Sequence, residues 1–212
     1  MIREIIFDMD GTIVNSEAIN LKSINVAMDK FDLPPVLEKD YELAFSMKGE
    51  EALAYLGVPK EILREVRDTW FLEARKIRHE SGIFPGLLQV IECLHQQGYK
   101  MGIITSRHSR DLDFDVKRLD LGKYFKTLVA SDQVENPKPS RDSMDLYLEE
   151  SGANLEEIFF IGDSPHDSDF AKNCGIPFGL ALWGANDKDI RADIKFSQPS
   201  EILDYLGELK NK

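Results

Sequence analysis

At 212 residues the chain has room for one large domain, or for a domain with a smaller insertion, and can bury an ample core. Its 42% hydrophobic and 30% charged residues exclude a disordered polypeptide. With 26 basic against 38 acidic residues the net charge is −12. That charge argues against sequence-independent binding to nucleic acid or to an anionic membrane, and obliges any anion site to supply its own cations. Cys93 and Cys174 belong to no CxxC or Cys/His cluster. A reducing compartment is expected, with both packed as small hydrophobes rather than paired or bound to zinc. Met1-Ile2-Arg3-Glu4 runs straight into a strand without a signal-peptide pattern, and no apolar run approaches the ~20 residues of a membrane span. A cytoplasmic protein is expected.

Residues 2 to 7 read as a short apolar strand of the kind found in a parallel sheet covered on both faces. After Ile13-Val14-Asn15-Ser16-Glu17 the apolar spacing is helical to about Glu80, as in Ile19, Ile24, Ala27, Met28 and Phe31, or Ile62, Leu63, Val66, Trp70 and Phe71. Pro34-Pro35 and Gly57-Val58-Pro59 divide this stretch into three or four helices. The pattern predicts a helical module over 15–80, inserted into a domain built from 1–14 and 81–212. Beyond Gly82 strands and helices alternate: a helix over Leu87 to Gln97, a strand over Lys100 to Thr105, a helix over Asp111 to Leu119 and a strand over Thr127 to Ala130. There follow a helix over Ser140 to Glu150, a strand over Ile158 to Ile161 and a helix over Pro165 to Cys174. Last come candidate strands over Pro177 to Trp183 and Ile194 to Phe196, and a closing helix over Glu201 to Leu209. Such alternation predicts an α/β fold with a doubly wound parallel sheet.

In an open parallel sheet, ligands bind outside the carboxyl ends of the strands. Four strand ends here carry unusual polar residues. The first ends in Asp8-Met9-Asp10-Gly11-Thr12, where two acids two residues apart point to the same side of an extended chain and Gly11 permits a sharp turn. The strand ending at Ile104 delivers Thr105-Ser106-Arg107. Lys138 sits between Pro137 and Pro139 in a stiff loop before a helix. The strand ending at Ile161 runs into Gly162-Asp163-Ser164, with Asp167 four residues after Asp163. Four carboxylates with no histidine among them make a hard oxygen site suited to Mg²⁺. Lys138, the Thr105 or Ser106 hydroxyl and nearby backbone N–H groups suit a phosphoryl group. One Asp is then available to attack phosphorus, splitting hydrolysis into formation and decay of an aspartyl phosphate, and Asp10 can protonate the leaving oxygen and later activate water.

Asp8-x-Asp10-Gly11-Thr12, the Thr105-Ser106 strand end, Lys138 and Gly162-Asp163-Ser164-x-x-Asp167 resemble, in order, the four motifs of the haloacid dehalogenase-like hydrolase superfamily. The helical insertion after the first motif resembles the subgroup with a small α-helical cap, which includes phosphoglycolate phosphatases, pyrophosphatases and β-phosphoglucomutases. The resemblance implies a Rossmann-like core with that cap, Asp8 as nucleophile and metal ligand, and Asp10 as general acid/base with its backbone carbonyl on the metal. It further implies Thr105 and Lys138 on the transferring phosphoryl group, Asp163 as Mg²⁺ ligand, and Asp167 either in the metal shell or orienting Lys138. The dehalogenase branch lacks the second acid, so Asp10 favours phosphoryl chemistry.

The expected function is a Mg²⁺-dependent phosphatase for a small phosphorylated metabolite. The alternative is a phosphomutase of the β-phosphoglucomutase type, but such enzymes carry an Arg three residues after the cap glycine, where Ala52 follows Gly49 here. A degenerate, non-enzymatic core would require a broken motif, and none is broken. Further candidates for phosphate or substrate are Gly11, Ser106, Arg107 and, from the polar break Ser46-Met47-Lys48-Gly49, Lys48. Arg107 and His108 are otherwise expected on an exposed loop, Asp132 and Asp169 as solvated or capping acids, and Trp70 and Phe71 in the core. The substrate and the oligomeric state are not legible in the sequence.

Overall fold

The computed structural model describes residues 1–45, 47 and 49–210. In chain order the elements are β1 (Glu4–Phe7), β2 (Val14–Asn15), α1 (Glu17–Lys30), α2 (Glu38–Phe45), α3 (Gly49–Tyr55), α4 (Leu63–Ile77), β3 (Gly82–Ile83) and α5 (Leu87–Gln96). They continue with β4 (Lys100–Ile104), α6 (Ser109–Arg118), β5 (Phe125–Val129), α7 (Asp142–Ser151), β6 (Ile158–Gly162), α8 (Pro165–Cys174), β7 (Phe178–Ala181), β8 (Ile194–Phe196) and α9 (Glu201–Lys210). The chain divides into two units, Met1–Val14 with Ile83–Lys212, and Asn15–Gly82.

The first unit is built on a six-stranded sheet in the order β5-β4-β1-β6-β7-β8, and every neighbouring pair runs parallel. β1 lies inside it, paired with β4 from Glu4 opposite Lys100 to Phe7 opposite Ile103, and with β6 from Glu4 opposite Ile158 to Phe7 opposite Ile161. Side chains alternate across a strand, so Ile5 and Phe7 join α5, α6 and α9 on one face while Ile6 joins α7 and α8 on the other. With helices on both faces, a strand must be apolar throughout, which is why Ile5-Ile6-Phe7 shows no polar alternation. Each of these three is fully buried, worth roughly 1.5–3 kcal/mol apiece. The order of the strands reverses around β1, so its carboxyl end opens at the switch point of the sheet.

The second unit is helical. α1 packs on α4 around Ile24, Ala27, Met28, Tyr41, Leu53, Val66 and Trp70. The Trp70 indole donates to the Asn20 carbonyl at 3.1 Å, and the Asn25 amide closes the turn after α1 by accepting from the Val36 N–H and donating to its carbonyl. Phe71, expected in this core, is instead 45% exposed. Adjacent residues of a helix point about 100° apart, and the inward face of α4 is the Val66, Trp70, Ala74 stripe. The cysteines also part company: Cys174 is buried, its thiol pKa pushed up to about 12 by burial, whereas Cys93 is only half-buried.

Candidate active site

Beyond Phe7 the pairing with β6 persists for one residue, as the Asp8 N–H donates to the Ile161 carbonyl at 2.8 Å. Strand alternation then sends Met9 into the core, fully buried, and sets Asp8 and Asp10 on the other side. Asp8 is buried and Asp10 half-buried. The turn that follows is tied by the Ile13 and Val14 N–H groups, both donating to the Met9 carbonyl. At Gly11 the backbone has φ +75°, and a Cβ would lie 2.1 Å from the Asp163 carboxylate, so two independent constraints demand glycine there. The Gly11 N–H, a candidate phosphate donor, donates to the Val14 carbonyl at 2.9 Å.

Asp163 arrives from the end of β6 and accepts a 2.7 Å hydrogen bond from the Thr12 hydroxyl. Thr12 is held in turn from β7: the Trp183 indole donates to its carbonyl at 3.0 Å. The next residue, Gly184, approaches the loop so closely that a Cβ would lie 1.7 Å from the Gly11 carbonyl oxygen. Sequence reasoning did not single out this clasp, because a Trp-Gly pair at a strand end carries no signature until the partner loop is in place.

Lys138 reaches into the same place. Its Nζ donates to Asp8 Oδ1 at 2.6 Å and to Asp167 Oδ1 at 2.7 Å, with all three groups buried. Asp167 stands in the first turn of α8, where its Oδ2 accepts from the Ser164 hydroxyl at 2.6 Å and from the Asp163 and Ser164 N–H groups at 3.2 and 3.1 Å. Ser164 reciprocates by capping the Asp167 N–H, so one acid both starts the helix and orients the lysine. Asp8, Asp163 and Asp167 offer carboxylate oxygens that all lie within 4.8 Å of one another.

Three buried acids thus face one ammonium. Burial pushes the Asp8 carboxyl up to about 7, opposed by the Lys138 charge and reinforced by that of Asp167. Burial, then the charges of Asp167 and Asp8, holds Asp163 well above the usual carboxylate range, against the Thr12 hydrogen bond. Burial disfavours the Lys138 ammonium, yet Asp167 and Asp8 outweigh it and raise its pKa, so the lysine stays charged. Three buried acids with one ammonium and only oxygen donors make an environment that a small divalent cation can neutralise, favouring the ionised carboxylates. The residues present therefore fit such an ion, with Asp8 and Asp163 as ligands and Asp167 beside them.

Of the residues after β4, Thr105 is buried, Ser106 is exposed, and the Thr105 Oγ1 accepts from the Arg107 N–H at 3.2 Å. The Arg107 side chain is only 8% exposed, against the expectation of an exposed loop. Its guanidinium pairs with both carboxylate oxygens of Asp10 and with Asp115. Arg118 holds the other oxygen of Asp115 at 2.7 Å. The signal for this network was Asp115 itself, an acid on the buried stripe of α6 between Leu112 and Val116. His108 is exposed, and Asp132 caps α6 by accepting from the Ser109 N–H and hydroxyl at 2.7 and 2.8 Å. Lys48 lies outside the described residues.

The family profile of haloacid dehalogenase-like hydrolases matches residues 5–181. The chain belongs to that family, and it is a hydrolase. Over 218 residues the hydrolase is 26% identical to the pyrophosphatase PpaX of Listeria monocytogenes serotype 4a (strain HCC23), covering 98% of this chain and 94% of the relative. It is also 26% identical over 235 residues to a phosphoglycolate phosphatase of Salmonella typhi, covering 98% and 91% of the two chains. Among solved structures, a haloacid dehalogenase-like family hydrolase from Streptococcus pneumoniae superposes with a TM-score of 0.89 at 22% identity, covering 97% of this hydrolase and 98% of the other. That likeness bears on the fold, a parallel sheet flanked by helices.

Proposed function

We propose that this hydrolase is a Mg²⁺-dependent phosphatase acting on a small phosphorylated metabolite through an aspartyl phosphate. The observation that carries the reading is Lys138 bridging buried Asp8 and Asp167 at 2.6 and 2.7 Å, with Asp163 alongside. Asp8 and Asp163, with the Asp10 backbone carbonyl, would hold Mg²⁺, which would screen the acids from a phosphate dianion and draw charge from the transferring group. An Asp8 carboxylate oxygen attacks phosphorus, and the leaving oxygen departs with a proton from Asp10. Lys138 keeps Asp8 oriented and balances charge on the phosphoryl oxygens, with Thr105 as a further donor. Water then attacks the aspartyl phosphate, giving its proton to Asp10.

The helical unit is read as a cap that selects the substrate. Ala52 of α3, buried and apolar, provides no cation where a sugar-phosphate mutase would need one, which favours hydrolysis. No described helix is long and apolar enough to cross a membrane, and a cytoplasmic enzyme without nucleic-acid or membrane partners fits the acidic net charge. The names of its relatives make pyrophosphate and phosphoglycolate the first substrates to test. A phosphate-release screen with Mg²⁺ should find at least one turned over, and activity should vanish with chelator and with Asp8→Asn. Full activity in the Asn variant would sink the proposal.

A further inference from the structure

Arg107, its side chain buried against Asp10 and Asp115, has no part in the mechanism above. Its backbone is fixed at both ends: the N–H donates to Thr105 Oγ1 at 3.2 Å, and the carbonyl accepts from the Ser131 N–H and hydroxyl at 2.8 and 3.1 Å. Its fork grips Asp10 through Nε and one terminal nitrogen, and the other terminal nitrogen meets Asp115 Oδ2. Asp115 is fully buried, and its second oxygen is held by Arg118 through Nε at 3.0 Å and a terminal nitrogen at 2.7 Å. The order is Asp10, Arg107, Asp115, Arg118, with the last two on α6. A bidentate grip fixes the plane of a carboxylate as well as its position. It occupies about two of the roughly four lone-pair sites, so the gripped group can still accept a proton.

The two half-reactions make different demands on Asp10. In the first, the leaving oxygen is already part of the bound substrate, so its place does not depend on Asp10. In the second, the attacking water is held by hydrogen bonds alone, and the base that takes its proton also aims it. We propose that Arg107 is a positioning residue for the second half-reaction: anchored by Asp115 and Arg118, it locks the Asp10 carboxylate so that water is aimed at the aspartyl phosphate. In that step the water oxygen bonds to phosphorus, its proton passes to Asp10, and the bond between phosphorus and the Asp8 oxygen breaks with its electron pair returning to Asp8. The inference rests on the phosphatase reading and deepens it, because a chain that aims water is built to hydrolyse its phosphoenzyme rather than to pass the group to a sugar.

The test is pre-steady-state kinetics with p-nitrophenyl phosphate and Mg²⁺ on the wild type, Arg107→Ala, Arg107→Lys and Asp115→Asn. Acid-quenched samples are read by intact mass for protein phosphorylated at Asp8. In Arg107→Ala the decay step should slow about 10²-fold. The readout is a burst of one nitrophenolate per enzyme, accumulated phosphoprotein, and kcat and KM falling together so that kcat/KM holds within about threefold. Lys offers one point charge in place of the fork, so Arg107→Lys should lie between. Asp115→Asn, which keeps the buried volume, should show the same signature more weakly and serves if Arg107→Ala does not fold. An Arg107→Ala enzyme with unchanged kcat, or with kcat/KM falling in step with kcat and no phosphoprotein, would overturn the clamp while leaving the phosphatase reading intact. A wild type that releases no phosphate from p-nitrophenyl phosphate or from any metabolite of the screen would overturn that reading, and the clamp with it.

Discussion

Raising the pH of the metal-free protein should destabilise it in a window where most proteins gain or hold stability. The Asp8 carboxyl is pushed from 3.8 to about 7, first by burial and then, against Lys138, by the charge of Asp167. Between those values the folded protein keeps a proton that the unfolded chain has released, so stability declines as pH rises from about 4 through about 7. The steepest slope is about 1.4 kcal/mol per pH unit for one proton. Across the window the ceiling is about 4 kcal/mol, at about 1.4 kcal/mol per tenfold change in proton affinity. An interior more polarisable than dry protein brings this to about 2 kcal/mol, or a fall in Tm of roughly 4–8 °C for a chain of this size. The raised Asp163 carboxyl has the same sign. Lys138 remains charged throughout and contributes no slope. Calorimetry in chelator at about pH 5, 6, 7 and 8 reads the effect, with Asp8→Asn as the control that removes the Asp8 proton and makes the decline shallower, leaving the slope due to Asp163. Mg²⁺ at about 100 times its Kd should return about 2.7 kcal/mol, and most at the upper end of the range, where the ligands are ionised. A Tm that rises or stays level from pH 5 to 8 in chelator, or an Asn variant that declines as steeply as the wild type, would refute the assignment of this proton to Asp8.

Two further outcomes test the frame around the site. Gly184→Ala puts a Cβ 1.7 Å from a backbone oxygen that cannot move aside cheaply, so the Asp8–Thr12 loop must shift; activity should drop at least about 10²-fold, as expected for a displacement near 1 Å, and normal activity with normal Tm would count against the clasp. Tyr147→Phe removes the 2.5 Å hydrogen bond to buried Glu4, at the end of β1 remote from Asp8; urea unfolding should show a loss of about 1–3 kcal/mol with kcat/KM unchanged, and a change in kcat/KM with no change in stability would contradict it.

Much of this protein was decided by local sequence. The unbroken apolar run Ile5-Ile6-Phe7 indicates a strand covered on both faces, and the helical spacing from Ile19 to Phe71 marks a separate module, because burial imposes those periods wherever the elements later pack. Asp8, Asp10, Asp163 and Lys138 were legible as a set, since acids and a lysine at strand ends of a parallel sheet converge on one edge whatever the details of twist. Asp167 was legible as a helix-capping acid or as a partner of Lys138, and the structure gives it both tasks at once. Tertiary structure alone decided which side of α4 turns inward, leaving Phe71 exposed where Trp70 is buried. It alone brought Trp183 and Gly184 onto the Thr12 and Gly11 carbonyls from a strand about 170 residues away in sequence. It alone turned Arg107 from a loop residue into the partner of Asp10. The physical reason is the same in each case: period and propensity are properties of neighbours along the chain, whereas a carbonyl or a carboxylate takes as partner whatever the folded backbone delivers within about 3 Å.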